Sequence, residues 1–146
     1  MALEVDTKDC NALSDAEISE MADLCADTPV PHEVGHLSKQ TEEWVLCSQA
    51  MDNGRLKGFL FYTLERIGGT PAIIIGLGAI CRDSRRDAVL RGMVTDRRHR
   101  AVMAFPDEDV VVGARFQSPD ACEALKGFTD IVPRPDHKAS GEERAW

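Results

Sequence analysis

The sequence predicts an α+β domain in which a central, mostly antiparallel mixed sheet carries helices on both faces. Three observations lead there: a capped amphipathic helix near the start, three apolar stretches between Trp44 and Cys81 joined by glycine turns, and an Arg-rich corner at residues 82–86 that runs into a long helical pattern. The 146 residues suffice for one domain with one core. A composition of 43% hydrophobic and 29% charged residues is that of a globular chain.

Ser14 followed by Glu17 is a capping box, with Leu13 and Ile18 placed as its hydrophobic staple. Ile18, Met21, Leu24 and Cys25 then form an apolar stripe opposite Asp15, Glu20 and Asp23, which predicts a helix of about three turns. Pro29, Pro31 and Gly35 make residues 27–37 a loop, and a second short helix is expected to start near Ser38 or Thr41. A strand from Trp44 to Ala50 meets the turn Asp52-Asn53-Gly54, and its partner runs from Leu56 to Ile67. After Gly68-Gly69-Thr70-Pro71 comes the apolar run Ala72 to Cys81, whose lack of a polar face predicts a central strand covered on both sides.

A helix is predicted over Ser84 to Arg98, with Val89, Leu90, Met93 and Val94 on one face and Arg91 and Arg98 pointing away. Ala101 to Phe105 reads as a short strand or an apolar tail to that helix, and Asp109 to Phe116 as a clearer strand. A short helix to Leu125, capped by Gly127, and a last strand from Phe128 to Val132 complete the domain. Residues 133–146 read as a polar tail that stops at the start of a helix, which leaves a continuation beyond Trp146 open.

Charge is unevenly spread. Residues 1–53 carry a net −10, residues 54–105 a net +6 and residues 106–146 a net −4. A basic middle between acidic flanks argues for a local anion site and against nucleic acid as a partner. Five scattered cysteines without a C-x-x-C pair favour a reducing, cytoplasmic setting over a disulfide framework or a thiolate zinc site. Neither a signal peptide nor a transmembrane segment is read, so no membrane partner is expected. Homodimerisation is open.

Pro71 to Val94 is the stretch that carries chemistry. An apolar strand with Gly76 and Gly78 enters an Arg-rich turn and then a helix, and the free N–H groups and dipole of a helix start favour anions. His32-Glu33-Val34-Gly35-His36 matches H-E-x-x-H, which on a helix would bind zinc as a hydrolase does. The crowding prolines and Gly35 favour instead a loop with exposed histidines. Cys81 beside Arg82 is either a reactive thiol or small core packing. Tyr62, the one tyrosine, is expected in the core or in a pocket wall.

This order of elements resembles the GCN5-related N-acetyltransferase fold across nearly the whole chain. With Leu90 set on that family's helix leucine, I-G-L-G-A-I-C falls on the strand that pairs with the pantetheine arm of acetyl-CoA, and R-D-S-R-R-D on the turn that cradles its pyrophosphate. The resemblance implies backbone contacts from Leu77, Gly78 and Ala79, and phosphate contacts from Arg82, Ser84, Arg85 and Arg86. Glu65, on the neighbouring strand, is the candidate base. Arg82 matches the phosphate signature, while Arg85 and Asp87 stand where the family has small residues. Ser118 to Phe128 is similar to the family's N-x-x-A…G-F segment, two residues shorter and without its tyrosine.

The implied activity is transfer of an acyl group from acetyl-CoA, or another acyl-CoA, to an amine. An acidic N-terminal third suits a cationic amine acceptor. The alternative is a binding or regulatory module of the same fold that has lost acetyl-CoA, for which Arg85, Asp87 and the missing tyrosine speak.

Overall fold

The computed structural model describes residues 3–26, 32–81 and 86–114. Arg82, Ser84, Arg85, the elements predicted between Ser118 and Val132, and the polar tail lie outside these residues. In chain order the elements are β1 (Leu3–Asp9), a 3-10 turn (Cys10–Ala12), α1 (Asp15–Cys25), α2 (Val34–Glu43), β2 (Leu46–Asp52), β3 (Arg55–Ile67), β4 (Thr70–Ile80), α3 (Arg86–Ala104) and β5 (Val111–Ala114). All five strands form one sheet in the order of the chain. Each of β1 to β4 is antiparallel to the next, and β5 returns parallel to β4 after the α3 crossover.

Strand β1 is an addition to the expected order. Its Leu3, Val5 and Thr7 alternate with Glu4, Asp6 and Lys8, and the period of two turns the first row toward α3 and the second away from it. α1 begins as expected. The Ser14 hydroxyl accepts the Glu17 N–H at 3.2 Å, the Glu17 carboxylate accepts the Ser14 N–H at 3.2 Å, and Lys8 reaches the same carboxylate at 2.8 Å. Burial pushes the Glu17 carboxyl up, but the hydrogen bonds from Lys8 and Ser14 outweigh it and hold the group below the usual carboxylate value.

α2 starts at Val34, earlier than Ser38 or Thr41. The Thr41 hydroxyl donates to the Ser38 carbonyl at 2.6 Å, so a side chain that reads as a fresh cap is bonded inside a running helix. Between β2 and β3, Asn53 (φ 52°) and Gly54 (φ 76°) take the left-handed conformations that match the twist of a tight hairpin. α3 continues to Ala104, so the stretch after Arg98 is the tail of that helix and not a strand.

Register sorts the core into two layers. Phe59 and Phe61 face α1 and α2, where they pack with Met21, Cys25, Leu37 and Cys47. Between them, Leu60 and, after Phe61, Tyr62 face α3. Gly58 lets α3 come close: a Cβ there would lie 3.0 Å from both Val89 and Met93. Among the described residues no helix is long and apolar enough to cross a membrane.

The inward stripe of α3 is Val89, Met93, Arg97 and Ala101, one residue per turn. Arg97 is 2% exposed, and its Nε and Nη2 have no hydrogen-bond partner among the described residues. Burial lowers its pKa against the opposing pull of nearby Tyr62. Beside it runs a polar chain: Thr7 donates to Asp96 at 2.8 Å, Ser48 lies 2.8 Å from Thr7, and Arg100 reaches Asp96 at 3.2 Å.

Two stability measurements follow. Ser14→Ala removes the cap and should cost about 1 kcal/mol, roughly 2–4 °C in Tm. Arg97→Met exchanges an uncompensated buried charge for an apolar chain of similar length, so Tm should hold or rise. A fall of several degrees would show that the guanidinium is paired in solution.

Candidate functional site

The site is built on a mismatch between β3 and β4. Tyr62 pairs with Ile75 and Leu60 with Gly78, so Phe61 alone stands opposite two residues, Gly76 and Leu77. This is a β-bulge in β4, a device that bends a strand and re-aims its backbone groups. Past the bulge the Cys81 N–H donates to the Lys57 carbonyl at 2.7 Å. Antiparallel pairs alternate, so Cys81 and Ala79 direct their backbone groups at β3, and Gly78 and Ile80 direct theirs to the opposite side. On that side the described pairing with β5 runs only from Ala72↔Val111 to Ile75↔Ala114. Beyond Ile75, then, β4 presents the backbone donors and acceptors of Gly78 and Ile80 along an edge that no described residue of β5 faces.

Gly76 and Gly78 are required there by crowding. A Cβ on Gly78 would sit 2.8 Å from Leu60 Cδ1 and 2.9 Å from the Phe59 carbonyl. One on Gly76 would meet Trp44, within 2.8 Å of Cδ2 and closer still to Cε2 and Cζ2. Three ring atoms at such similar distances mean that the indole lies face-on over the bulge. Trp44 is the residue at which α2 ends and the chain turns extended (φ −104°, ψ 153°), and its Nε1–H donates to the Gln40 Oε1 at 3.0 Å. One turn of α2 therefore holds the ring that covers β4.

Of the residues named from sequence, Leu77, Gly78 and Ala79 all lie on this strand segment, with Gly78 exposed and the other two half-buried. The pairing of Ala79 with Phe59 turns its polar groups toward β3, whereas Ile80, like Gly78, directs its own to the other side. Its alternation with Gly78 was the available signal, obscured because the register was unknown. Arg86 is the first residue of α3, followed by exposed Asp87 in the first turn.

Glu65 is exposed on the same face of the sheet as Phe61, opposite Ala72. Gly76 lies four residues further along β4, about 13 Å at the rise of a strand. Direct proton transfer from the bulge to Glu65 is therefore out of reach.

The H-E-x-x-H stretch lacks the geometry its motif needs. His32 precedes the helix and Glu33 is its N-cap, so only His36 is helical. The two imidazoles stack with centroids 5.0 Å apart and planes 16° from parallel, face to face rather than converging on a shared point. Burial and the neighbouring His36 hold His32 below the ordinary imidazole value. Among the described residues no three histidine, cysteine or carboxylate groups come together as a metal site. Cys81 is half-buried at the end of β4, while Cys10 and Cys47 are buried thiols whose pKa burial raises, Cys10 to about 11.

No family model matches the sequence, and no curated protein matches it. Solved structures do share its fold. The ribosomal-protein-alanine N-acetyltransferase from Brucella melitensis biovar Abortus superposes with a TM-score of 0.66 at 14% identity, covering 95% of this chain and 99% of that one. An aminoglycoside acetyltransferase from an uncultured soil metagenomic sample, in complex with sisomicin, gives 0.61 at 12% identity, covering 94% and 97%. The aminoglycoside N-acetyltransferase AAC(6')-Iy in complex with CoA gives 0.58 at 13% identity, covering 95% and 97%.

The Trp44–Gly76 contact can be measured directly. Gly76→Ala forces the indole or the strand to move and should cost about 1–3 kcal/mol. In a Gly76→Ala/Trp44→Ala double variant much of that cost should disappear, since the space opposite the new methyl is vacated; strict additivity of the two losses would show that ring and glycine do not touch.

Proposed function

We propose that this chain, which has the fold of the GCN5-related N-acetyltransferases, transfers an acyl group from an acyl-CoA to an amine. One observation carries the reading: the bulge at Gly76–Leu77, followed by a strand edge whose Gly78 and Ile80 backbone groups face away from β3 where the described β5 pairing has ended. A pantetheine arm is a short chain of amides. It fits such an edge as an added strand does, trading water for main-chain hydrogen bonds. When bound, acetyl-CoA supplies an acyl group activated as a thioester.

The residues of the chain supply position and polarity. Gly78 and Ile80 hold the amide arm, and the re-aimed backbone at the bulge directs an N–H toward the acyl carbonyl. Arg86, at the start of α3, would hold the phosphate end together with the N–H groups of the first helical turn, and Arg82, Ser84 and Arg85 are its proposed partners. Asp87 in that same turn opposes an anion, which weakens the phosphate contact without removing it. Trp44 closes the α1/α2 face of the bulge. Since Glu65 is remote, it takes the ammonium proton through a file of waters, and most of the rate comes from holding amine and thioester together.

Thermal unfolding with millimolar acetyl-CoA tests the binding step. At a hundred times the dissociation constant the ligand adds about 2.7 kcal/mol, a shift of several degrees that Arg86→Ala should shrink. Release of CoA thiol in the presence of amines tests the chemistry. Glu65→Gln should slow it by less than about tenfold, against the hundredfold or more expected of a directly acting base. If acetyl-CoA neither shifts Tm nor is consumed, the chain is instead a binding module built on this fold.

A further inference from the structure

We propose that Trp44 sets acceptor specificity, its indole selecting amines that carry a second positive charge. The inference rests on the acyl-transfer reading and adds the acceptor class to it.

Trp44 is half-buried, and its ring lies face-on over the Gly76 backbone at the bulge. Its one polar group is occupied, because Nε1–H is bound to Gln40. Part of the ring packs against the α1/α2 core and part is exposed, and the exposed part offers an acceptor π surface and no hydrogen bond. π surface takes either a flat apolar ring or a cation, and the surroundings decide between them. Nε2 of the same Gln40 reaches the Glu43 carboxylate at 3.5 Å. The last turn of α2 holds Glu42 and Glu43 and no basic residue, and it ends at the negative pole of the helix dipole. Neither glutamate forms an ion pair among the described residues. This end of α2 repels an acceptor carboxylate and attracts a cation, which the indole face can also hold.

The docked cation is not the reacting nitrogen. The attacking amine must shed its proton, whereas the group held by Trp44 keeps its charge. Hence the acceptor needs two nitrogens a few bonds apart, one docked as ammonium and one free to react. The docked charge also lowers the pKa of its neighbour, which favours the nucleophilic form. In the step itself the new C–N bond forms as the C–S bond breaks, CoA leaves as thiolate, and the ammonium proton passes through water to Glu65.

Three amines of one chain length separate the possibilities: 1,4-diaminobutane, butylamine and 4-aminobutyrate. In a Trp146→Phe background, where Trp44 is the sole tryptophan, its fluorescence should respond to the diamine without any acyl donor. It should respond least to 4-aminobutyrate. With acetyl-CoA present, the diamine should have the lowest KM. Trp44→Ala should raise the diamine KM by about fivefold more than it raises the butylamine KM, Trp44→Phe should restore part of that difference, and Glu43→Gln should raise the diamine KM by about threefold. Transfer that proceeds with the same ranking of the three amines in wild type and Trp44→Ala overturns the inference and leaves the acyl-transfer reading standing. Absence of transfer to all three overturns the acyl-transfer reading, and the fluorescence response then decides by itself whether Trp44 is a cation site.

Discussion

The extra residue in β4 opposite Phe61 is the constraint from which the rest of the site follows. With one β3 residue facing two, the strand bends, and the phase of its hydrogen bonding is reset between Ile75 and Gly78. Before the bulge β4 is an ordinary inner strand, paired on both sides. After it, the strand remains anchored to β3 as far as the bond from Cys81 to Lys57, while no described residue of β5 pairs with its other edge. Removing side chains at Gly76 and Gly78 is what the bend costs in sequence. The two glycines admit an indole on one side and the β3 backbone on the other.

The division of labour between the two faces of the sheet is equally physical. α1 and α2 pack on Phe59 and Phe61 and bring Trp44 to the bulge, so that the acidic helices cover the face of β4 that carries the indole. α3 packs on the opposite face through Gly58 and carries Arg86 to the end of β4. A long molecule lying along the strand edge thus meets a positive terminus at one end and a negative neighbourhood at the other. Arg97 belongs to neither. It is a charge sealed under α3, beside a polar chain of Thr7, Ser48 and Asp96 that satisfies its own members and leaves two guanidinium nitrogens without a partner among the described residues.

What could be read from the sequence was what depends on neighbours in the chain. The Ser14–Glu17 box, the Asn53-Gly54 turn and the apolar β4 run are local signals, and each stands where it was expected. The start of α2 is hidden because Ser38 and Thr41 look like a cap, although the Thr41 hydroxyl bonds back to the Ser38 carbonyl inside the helix. β1 escaped notice because Glu4, Asp6 and Lys8 dilute a short alternating stretch. Arg97 could not be foreseen, since periodicity assigns an arginine to solvent. The bulge, the contact of Trp44 with Gly76 and the directions of the Ala79 and Ile80 backbone groups depend on register between strands, which composition does not encode.

The strand order also has a temporal side. β2, β3 and β4 are joined by tight turns and can zip together from contacts close in the chain. β1 must instead find β2 across the whole α1–α2 segment, as the 41-residue separation of Thr7 and Ser48 illustrates, and β5 must wait for α3 to cross the sheet. Distant pairings pay their loop-closure entropy first and are rewarded later. Contact separation therefore favours the meander as the nucleus, with the two outer strands added later and opening at lower free energy than the centre. The edge of β4 next to β5 lies on that boundary between early and late structure, so a ligand seated there would do more than occupy a surface: it would hold shut the seam along which the sheet comes apart.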